Sequence, residues 1–137
     1  METIFSLTFL LTGPFWAMMI LAPRWRWTKR IIGSPYIILP AALLYVVLII
    51  PAMGEALRLL AAPTLENIAG LLGSEAGATI GWIHFLAFDL FVGRWAYLDA
   101  QKRQISHWLM APTLFFILML GPLGFALYLL VRQTKKH

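Results

Sequence analysis

Hydrophobic positions along the chain fall into four long runs separated by short polar segments. The runs cover residues 4–22, 36–56, 78–98 and 108–131. Each is close to the roughly 20 residues that a helix needs to cross a bilayer. Residues 64–72 form a shorter stretch whose apolar side chains recur at helical spacing, which is typical of a helix lying on a membrane surface. The pattern therefore predicts an all-α polytopic membrane protein, a bundle of four transmembrane helices with a short interfacial helix.

Proline and glycine interrupt the fourth run near its middle. The sequence there reads Gly121-Pro122-Leu123-Gly124. Pro122 has no amide hydrogen to donate, and its ring obstructs the carbonyl of Leu118, so we expect a kink at this point. The predicted helix continues across the membrane on both sides of the kink. Four crossings place both termini on the same side of the membrane.

Composition excludes a water-soluble domain. Hydrophobic residues make up 61% of the 137 positions and charged residues only 12%, whereas soluble domains have about 25% charged residues. Four spans leave only short loops, so we predict a single transmembrane domain over residues 1–137. The absence of cysteine excludes disulfides, thiolate metal sites and cysteine nucleophiles.

The net charge of +5 comes from basic residues clustered beside the apolar runs. Trp25 and Trp27 alternate with such residues between 24 and 30, as in an interfacial anchor. We therefore expect membrane lipids as partners and no nucleic acid. A small bundle with a large lipid-facing perimeter is also a possible homo-oligomer. If the loops 24–30 and 99–107 lie inside, the inner side of the membrane carries six basic residues and the outer side four. This difference favours both termini outside.

The third run carries three ionisable side chains, His84, Asp89 and Arg94, within a span. A charged carboxylate near the bilayer centre costs about 2.5–3.5 kcal/mol on insertion scales, so such residues commonly mark functional sites. At 100° per residue Asp89 lies about 140° around the helix from His84 and about 7.5 Å along its axis. The two side chains do not touch, but both can border one pocket formed with other helices.

We take His84 and Asp89 as the catalytic candidates. The substrate-binding candidates are the aromatic and polar residues around them: Trp82, Phe88, Phe91, Arg94, Trp95, Asp99 and His107. Structural roles are the alternative. His84 and Asp89 can be interhelical hydrogen-bonding partners, and Arg94 can extend its side chain to the interface. No metal-binding spacing joins the histidines and Asp89, so we predict no cofactor, with a divalent metal as the alternative.

The third run also carries a family resemblance. It reads Trp82-x-His84-x-Leu86-x-x-Asp89-Leu90-Phe91-x-x-Arg94, followed by Asp99 and His107. Further matching positions lie in order along the chain: Ala22-Pro23, Thr28-Lys29, Tyr36-Ile37, Leu43-Leu44-Tyr45, Ser74-Glu75 and Pro122-x-Gly124. With these residues the chain resembles the abscisic-acid-deficient-four-like family, whose plant plastid members are required for neoxanthin synthesis.

The resemblance implies a four-helix membrane protein that isomerises a carotenoid or related isoprenoid. Converting an epoxycarotenoid into an allenic alcohol needs an acid for the opening oxygen and a base for a proton on the adjacent chain carbon, and no redox cofactor. Asp89 and His84 can supply these roles in either order. The alternatives are a non-catalytic carotenoid, retinoid or lipid binder, and a transporter that uses Asp89 as a proton relay. The chain starts directly at its first span, so we expect a bacterial inner membrane location.

Overall fold

A computed structural model describes residues 1–135, and within this range the chain is helical without any β-strand. The predicted all-α class is therefore confirmed for these residues. The α-helices of the described range are α1 (Glu2–Leu21), α2 (Arg26–Gly33), α3 (Leu39–Ile49), α4 (Met53–Ala61), α5 (Leu65–Gly73), α6 (Glu75–Arg103), α7 (His107–Met119) and α8 (Gly121–Val131). The predicted helix at 64–72 corresponds to α5.

Three stretches are long and apolar enough to cross a membrane, namely Glu2–Leu21, Pro35–Ala61 and Glu75–Arg103. The second stretch consists of α3 and α4, joined by a 3₁₀ turn over Ile50–Ala52. This turn contains Pro51, which cannot donate the hydrogen bond that a continuous α-helix requires there. The three stretches coincide with the first three runs of the sequence analysis.

Hydroxyl side chains cap the N-termini of three of the α-helices. Thr64 Oγ1 accepts a hydrogen bond from the amide of Asn67 at the start of α5, and Ser74 Oγ accepts one from Gly77 at the start of α6. Ser106 does the same for α7, accepting from the amide of Trp108. Such caps satisfy amides that have no partner inside the helix, so they define where each helix begins.

Helix α6 is the central element, and α1 runs parallel to it. Phe5 near the start of α1 packs against Trp82, with ring centroids 5.5 Å apart. Just beyond the end of α1, the carbonyl of Pro23 accepts a 2.6 Å hydrogen bond from the hydroxyl of Tyr97. The N-terminus therefore lies at the end of the bundle where α6 begins.

Close packing between α1 and α6 depends on Gly93. The indole ring of Trp16 occupies the space beside Gly93 that any larger side chain would need. Trp16 is only 2% exposed as a result, and it belongs to the main hydrophobic core together with Leu90, Leu114 and Tyr128. A glycine on this face of α6 therefore allows a large aromatic residue from α1 to fill the core.

The fourth predicted span differs from the expectation. Residues 107–131 form two helices, α7 and α8, and Leu120 between them has φ −139° and ψ 65°, which is not helical. The backbone of Gly124 lies directly against the backbone of Ile117, which belongs to the preceding helix. A straight helix would place these residues about 10 Å apart along its axis. The predicted kink at Pro122 is therefore a complete reversal, and α7 and α8 form a helical hairpin.

The hairpin begins and ends at the same end of α6. Its tip lies near the middle of α6, because Gly121 contacts the carboxylate of Asp89. From there α8 runs alongside α6 towards Asp99, which accepts hydrogen bonds from Tyr128 and Arg132. Residues 107–131 thus enter the bundle halfway and return.

The prediction that both termini share one side is consequently wrong for this fold. Phe5 lies beside Trp82 near the start of α6, whereas Arg132 lies beside Asp99 near its end. The carbonyl of Lys135 also accepts a hydrogen bond from Arg103, the last residue of α6. Three traversing stretches and one hairpin place the start and the end of the described chain at opposite ends of the bundle.

This path separates charge along the bundle. The basic residues at the end of the bundle where α6 ends are Arg24, Arg26, Lys29, Arg30, Lys102, Arg103, Arg132 and Lys135. The opposite end carries Glu2, Glu55, Arg58, Glu66 and Glu75. We call these the basic end and the acidic end. Lys136, which the sequence analysis counted with the C-terminal tail, lies outside the described residues.

The hairpin predicts a specific sensitivity at Gly124. In Gly124→Ala the added methyl group overlaps the backbone of Ile117, which cannot move aside as a flexible side chain would. We expect a loss of about 1–3 kcal/mol in the free energy of unfolding, as for overpacked sites. The matched control is Gly70→Ala in α5, where the methyl group enters open space. Equal melting temperatures for the two variants in detergent would contradict the hairpin.

Candidate functional site

An apolar groove between α3 and α6 contains His84. Its volume is about 230 Å³. The groove is lined by Ile38, Ala42, Tyr45, Val46, His84, Ala87, Phe88 and Phe91. The side chains of His84, Phe88 and Phe91 are exposed, so the groove opens on the outer surface of the bundle. A hydrophobic molecule can therefore reach the groove from outside the bundle.

Aromatic side chains surround the imidazole of His84. The ring centroid of Phe88 lies 4.9 Å from that of His84 at an interplanar angle of 37°, and the ring of Tyr45 lies 5.8 Å away in an edge-on arrangement. His84 and Tyr45 are the lining residues whose side chains can exchange protons. The groove thus combines an apolar, aromatic wall with two groups capable of acid–base chemistry.

Asp89 lies elsewhere. Its carboxylate contacts Gly121 at the tip of the α7–α8 hairpin, and it is not among the residues that line the groove. Two catalytic groups must reach the same substrate, usually within hydrogen-bonding distance of the reacting atoms. The structure therefore places His84 and Asp89 at separate sites, contrary to the hypothesis that both border one pocket.

Trp82 and Arg94 contact parts of the chain other than the groove. Trp82 packs against Phe5 of α1. The guanidinium of Arg94 donates to the carbonyls of Ile32 and Gly33, at 2.8 and 2.7 Å. These carbonyls end α2 and have no partner within that helix, so Arg94 caps α2 and fixes it to α6.

Trp95 and Asp99 contact α8. The ring of Trp95 lies 5.7 Å from that of Tyr128, and the guanidinium carbon of Arg132 lies 5.4 Å from the Trp95 ring centroid. Asp99 accepts hydrogen bonds from Arg103 and Arg132, each at 3.0 Å, and from the hydroxyl of Tyr128. The hydrogen bond to Asp99 raises the pKa of Arg132 above its usual value. We call Trp95, Asp99, Arg103, Tyr128 and Arg132 the Asp99 cluster.

His107 borders a second cavity at the basic end, with a volume of about 370 Å³. It is lined by Met19, Pro23, Arg24, Lys29, Tyr97, Ala100, Gln101, Gln104, Ile105, Ser106, His107, Met110 and Leu114. The side chains predicted to form one site are therefore distributed over the groove, the hairpin tip, α1, α2, the Asp99 cluster and this basic cavity. His84, Phe88 and Phe91 lie together in the groove, and Trp95 and Asp99 lie together in the Asp99 cluster.

Four polar residues beside the candidates were not predicted from the sequence. Tyr45 belongs to the groove, and Arg103, Tyr128 and Arg132 belong to the Asp99 cluster. Tyr45 falls within Leu43-Leu44-Tyr45, one of the segments that carry the family resemblance. That membership is the signal that could have identified Tyr45 from the sequence. Residues 1–135 contain no group of three or more histidine, aspartate or glutamate side chains that could hold a metal ion.

Comparison with known proteins assigns the chain to a family. The model of the family described as ABA DEFICIENT 4-like matches residues 3–128, which is most of the chain. The chain belongs to the ABA DEFICIENT 4-like family. Its similarity to Protein ABA DEFICIENT 4, chloroplastic, from Arabidopsis thaliana is 36% identity over 100 residues. That alignment covers 68% of this chain and 45% of the plant protein, so the chain matches about half of the relative's length. No solved structure matches it.

Family membership confirms the resemblance found in the sequence. The matched range contains every member of the groove and ends at Tyr128, within α8. Arg132 of the Asp99 cluster lies beyond it. The ABA DEFICIENT 4-like region thus includes both walls of the groove and most of the hairpin.

The Asp99 cluster predicts that Asp99→Asn destabilises the ABA DEFICIENT 4-like fold without touching the groove. The amide keeps the shape of the carboxylate but loses its charge-assisted hydrogen bonds to Arg103 and Arg132. We expect a loss of about 1–2 kcal/mol in the free energy of unfolding, since the cluster is partly exposed and solvent screens it.

The matched control is Glu66→Gln, an exposed carboxylate of α5 that forms no ion pair with the described residues. It should change the stability by less than about 0.5 kcal/mol. In a double-mutant cycle, Arg132→Gln should add little to Asp99→Asn, because both remove the same ion pair. Fully additive effects would show that the Arg132–Asp99 pair does not hold α8.

Proposed function

We propose that this chain is a multi-pass membrane protein. Its basic end lies on the side of the membrane from which the helices are inserted, which we call the insertion side. Its three long apolar stretches support membrane insertion. The positive-inside rule supports the orientation, because eight of the described basic residues lie at one end and Arg58 at the other. In the proposed orientation the N-terminus lies on the translocated side and the end of α8 on the insertion side.

The proposed ligand is a carotenoid or a related polyene isoprenoid that enters the groove between α3 and α6. The observation that carries this proposal is an apolar, aromatic groove that opens on the outer surface of the bundle and contains a single imidazole. At about 230 Å³ the groove admits one end of such a molecule, and the rest of the polyene can extend along Phe88 and Phe91 into the bilayer. Family membership supports the same ligand class.

The proposed reaction is a cofactor-free isomerisation centred on His84. An acid protonates the epoxide oxygen as its bond to carbon breaks, and a base removes a proton from the adjacent chain carbon, so the product is an isomer of the substrate. His84 and Tyr45 both line the groove, with ring centroids 5.8 Å apart, and can share these roles. Tyr45 therefore replaces Asp89 as the partner of His84 in this proposal.

A second candidate function is a carotenoid-binding helper without catalysis. The observation that favours it is the separation of His84 from Asp89, because the strongest acid–base pair of the third run is not assembled. In this case His84 would hydrogen-bond a polar end ring, and the pigment would leave the protein unchanged. Binding and conversion must therefore be measured separately.

We expect His84→Gln to bind a 5,6-epoxycarotenoid but not to convert it. Glutamine keeps much of the size of histidine and can donate a hydrogen bond, but it does not exchange a proton near neutral pH. The purified full chain in nanodiscs would be titrated with the pigment, with binding followed by its absorption spectrum and products by chromatography. Unimpaired conversion by His84→Gln would contradict catalysis by His84. Binding without conversion by the unmodified chain would favour the helper.

The groove itself is tested by two phenylalanine variants. Phe91→Ala removes an aromatic wall of the groove and should weaken pigment binding about tenfold or more, since burial of such a side chain contributes about 1.5–3 kcal/mol. Phe115→Ala in α7 removes an equally exposed phenylalanine that does not line the groove and should leave binding unchanged. Equal effects of the two substitutions would place the pigment elsewhere.

A further inference from the structure

The cavity at the basic end combines cationic side chains with an apolar floor. Arg24 follows the end of α1, Lys29 lies on α2, and His107 is the first residue of α7. The described residues that line this cavity include no carboxylate. Two permanent cations and an imidazole around one cavity produce a positive potential that attracts an anion.

The nearest carboxylate along α6 does not neutralise this charge. Asp99 accepts its hydrogen bonds from Arg103, Tyr128 and Arg132, and it is not part of the cavity wall. The positive charge of Arg24 and Lys29 also has no ion-pair partner among residues 1–135. An anionic ligand would therefore meet these cations without displacing an existing partner.

Neutral polar side chains complete the rim. Gln101 and Gln104 lie at the end of α6, and Ser106 lies in the connection to α7. Gln104 has a left-handed backbone with φ 54°, which ends α6 and allows the chain to turn into α7 beside the cavity that Gln104 lines. These groups can donate hydrogen bonds to oxygen atoms of an anion.

The floor of the cavity is apolar and belongs to the core. Met19, Met110 and Leu114 line it, and their exposed fractions are 0%, 5% and 1%. An inorganic anion alone would leave this apolar surface in contact with water. A ligand with a charged head and an apolar chain would cover both parts of the cavity.

We propose that this cavity binds the phosphate group of an anionic amphiphile, with its first apolar carbons against Met19 and Leu114. A volume of about 370 Å³ accommodates a phosphate head and the start of a chain rather than a whole lipid. The source can be a phospholipid of the bilayer or a soluble phosphate compound. This site is independent of the groove at His84 and lies at the basic end of the bundle.

The test compares two double variants that remove the same charge. Arg24→Gln with Lys29→Gln removes the cations of the cavity. Arg26→Gln with Arg30→Gln removes two cations of the same segment that instead lie over the ring of Trp27, at 5.4 and 5.7 Å, and do not line the cavity. Nonspecific attraction to an anionic surface falls equally in both, whereas a specific site is lost only in the first.

The purified full chain would be placed in phosphatidylcholine nanodiscs with and without phosphatidylglycerol, and its melting temperature and bound lipid measured. We expect phosphatidylglycerol to raise the melting temperature of the unmodified chain and of Arg26→Gln/Arg30→Gln. Affinity should fall about tenfold or more in Arg24→Gln/Lys29→Gln, because charge-assisted hydrogen bonds to phosphate are lost. Equal losses in both double variants, or no stabilisation by any phosphate compound, would overturn the proposal.

The second arm of the experiment adds inorganic phosphate to the purified chain in phosphatidylcholine nanodiscs. Stabilisation by phosphatidylglycerol alone supports a membrane lipid as the ligand, and stabilisation by inorganic phosphate as well supports a soluble phosphate compound. If Arg24→Gln/Lys29→Gln does not fold, Gln101→Glu tests the same cavity by adding a negative charge at an exposed position. Its matched control is Gln133→Glu, which is exposed and lies outside the cavity. Equal binding by these two variants would also overturn the proposal.

Discussion

The ion pair between Asp99 and Arg132 determines the path of the last part of the chain. Asp99 lies near the end of α6, and its carboxylate accepts hydrogen bonds from Arg132 and Tyr128, 33 and 29 residues further along. For Arg132 to reach this carboxylate, the chain must return to the end of α6 from which α7 started. The hairpin and the location of the C-terminal segment follow from this contact, which adds Arg132 and Lys135 to the basic end.

The hairpin also determines what the second half of α6 contacts. Its tip contacts Asp89, and α8 packs against Trp95 and Asp99. The earlier part of α6 packs against α3 and keeps His84 and Phe88 exposed along the groove. One helix thus has a first half that borders the candidate ligand groove and a second half that fixes the fold at the basic end.

Helical periodicity was sufficient to predict part of the site. His84, Phe88 and Phe91 recur at spacings of four and three residues, which places them on one face of any α-helix, and the structure retains them together. The same periodicity places Trp95 and Asp99 on that face, yet they contact α8. The difference arises because α3 packs on the first half of the face and α8 on the second, which is a matter of tertiary packing.

The hairpin illustrates what local sequence cannot specify. Pro122 and Gly124 predicted a break in the fourth run, because proline removes a helical hydrogen bond and glycine tolerates close backbone contact. The angle of that break depends on contacts between distant residues, such as Gly121 with Asp89 and Arg132 with Asp99. Apolar length alone therefore suggested a fourth crossing, although each arm of the hairpin is too short to cross a bilayer.

Side-specific cysteine labelling tests the return of the hairpin most directly, because the natural chain has no thiol. Single cysteines would replace the exposed residues Gln133, Lys102 and Asn67, and a membrane-impermeant thiol reagent would be applied to sealed vesicles of known orientation. A chain with three crossings and a returning hairpin predicts that the cysteines at 133 and 102 react from the same side and the cysteine at 67 from the other. Reaction of the cysteine at 133 from the same side as the one at 67 would show that residues 107–131 cross the membrane, and would contradict the fold on which the account depends.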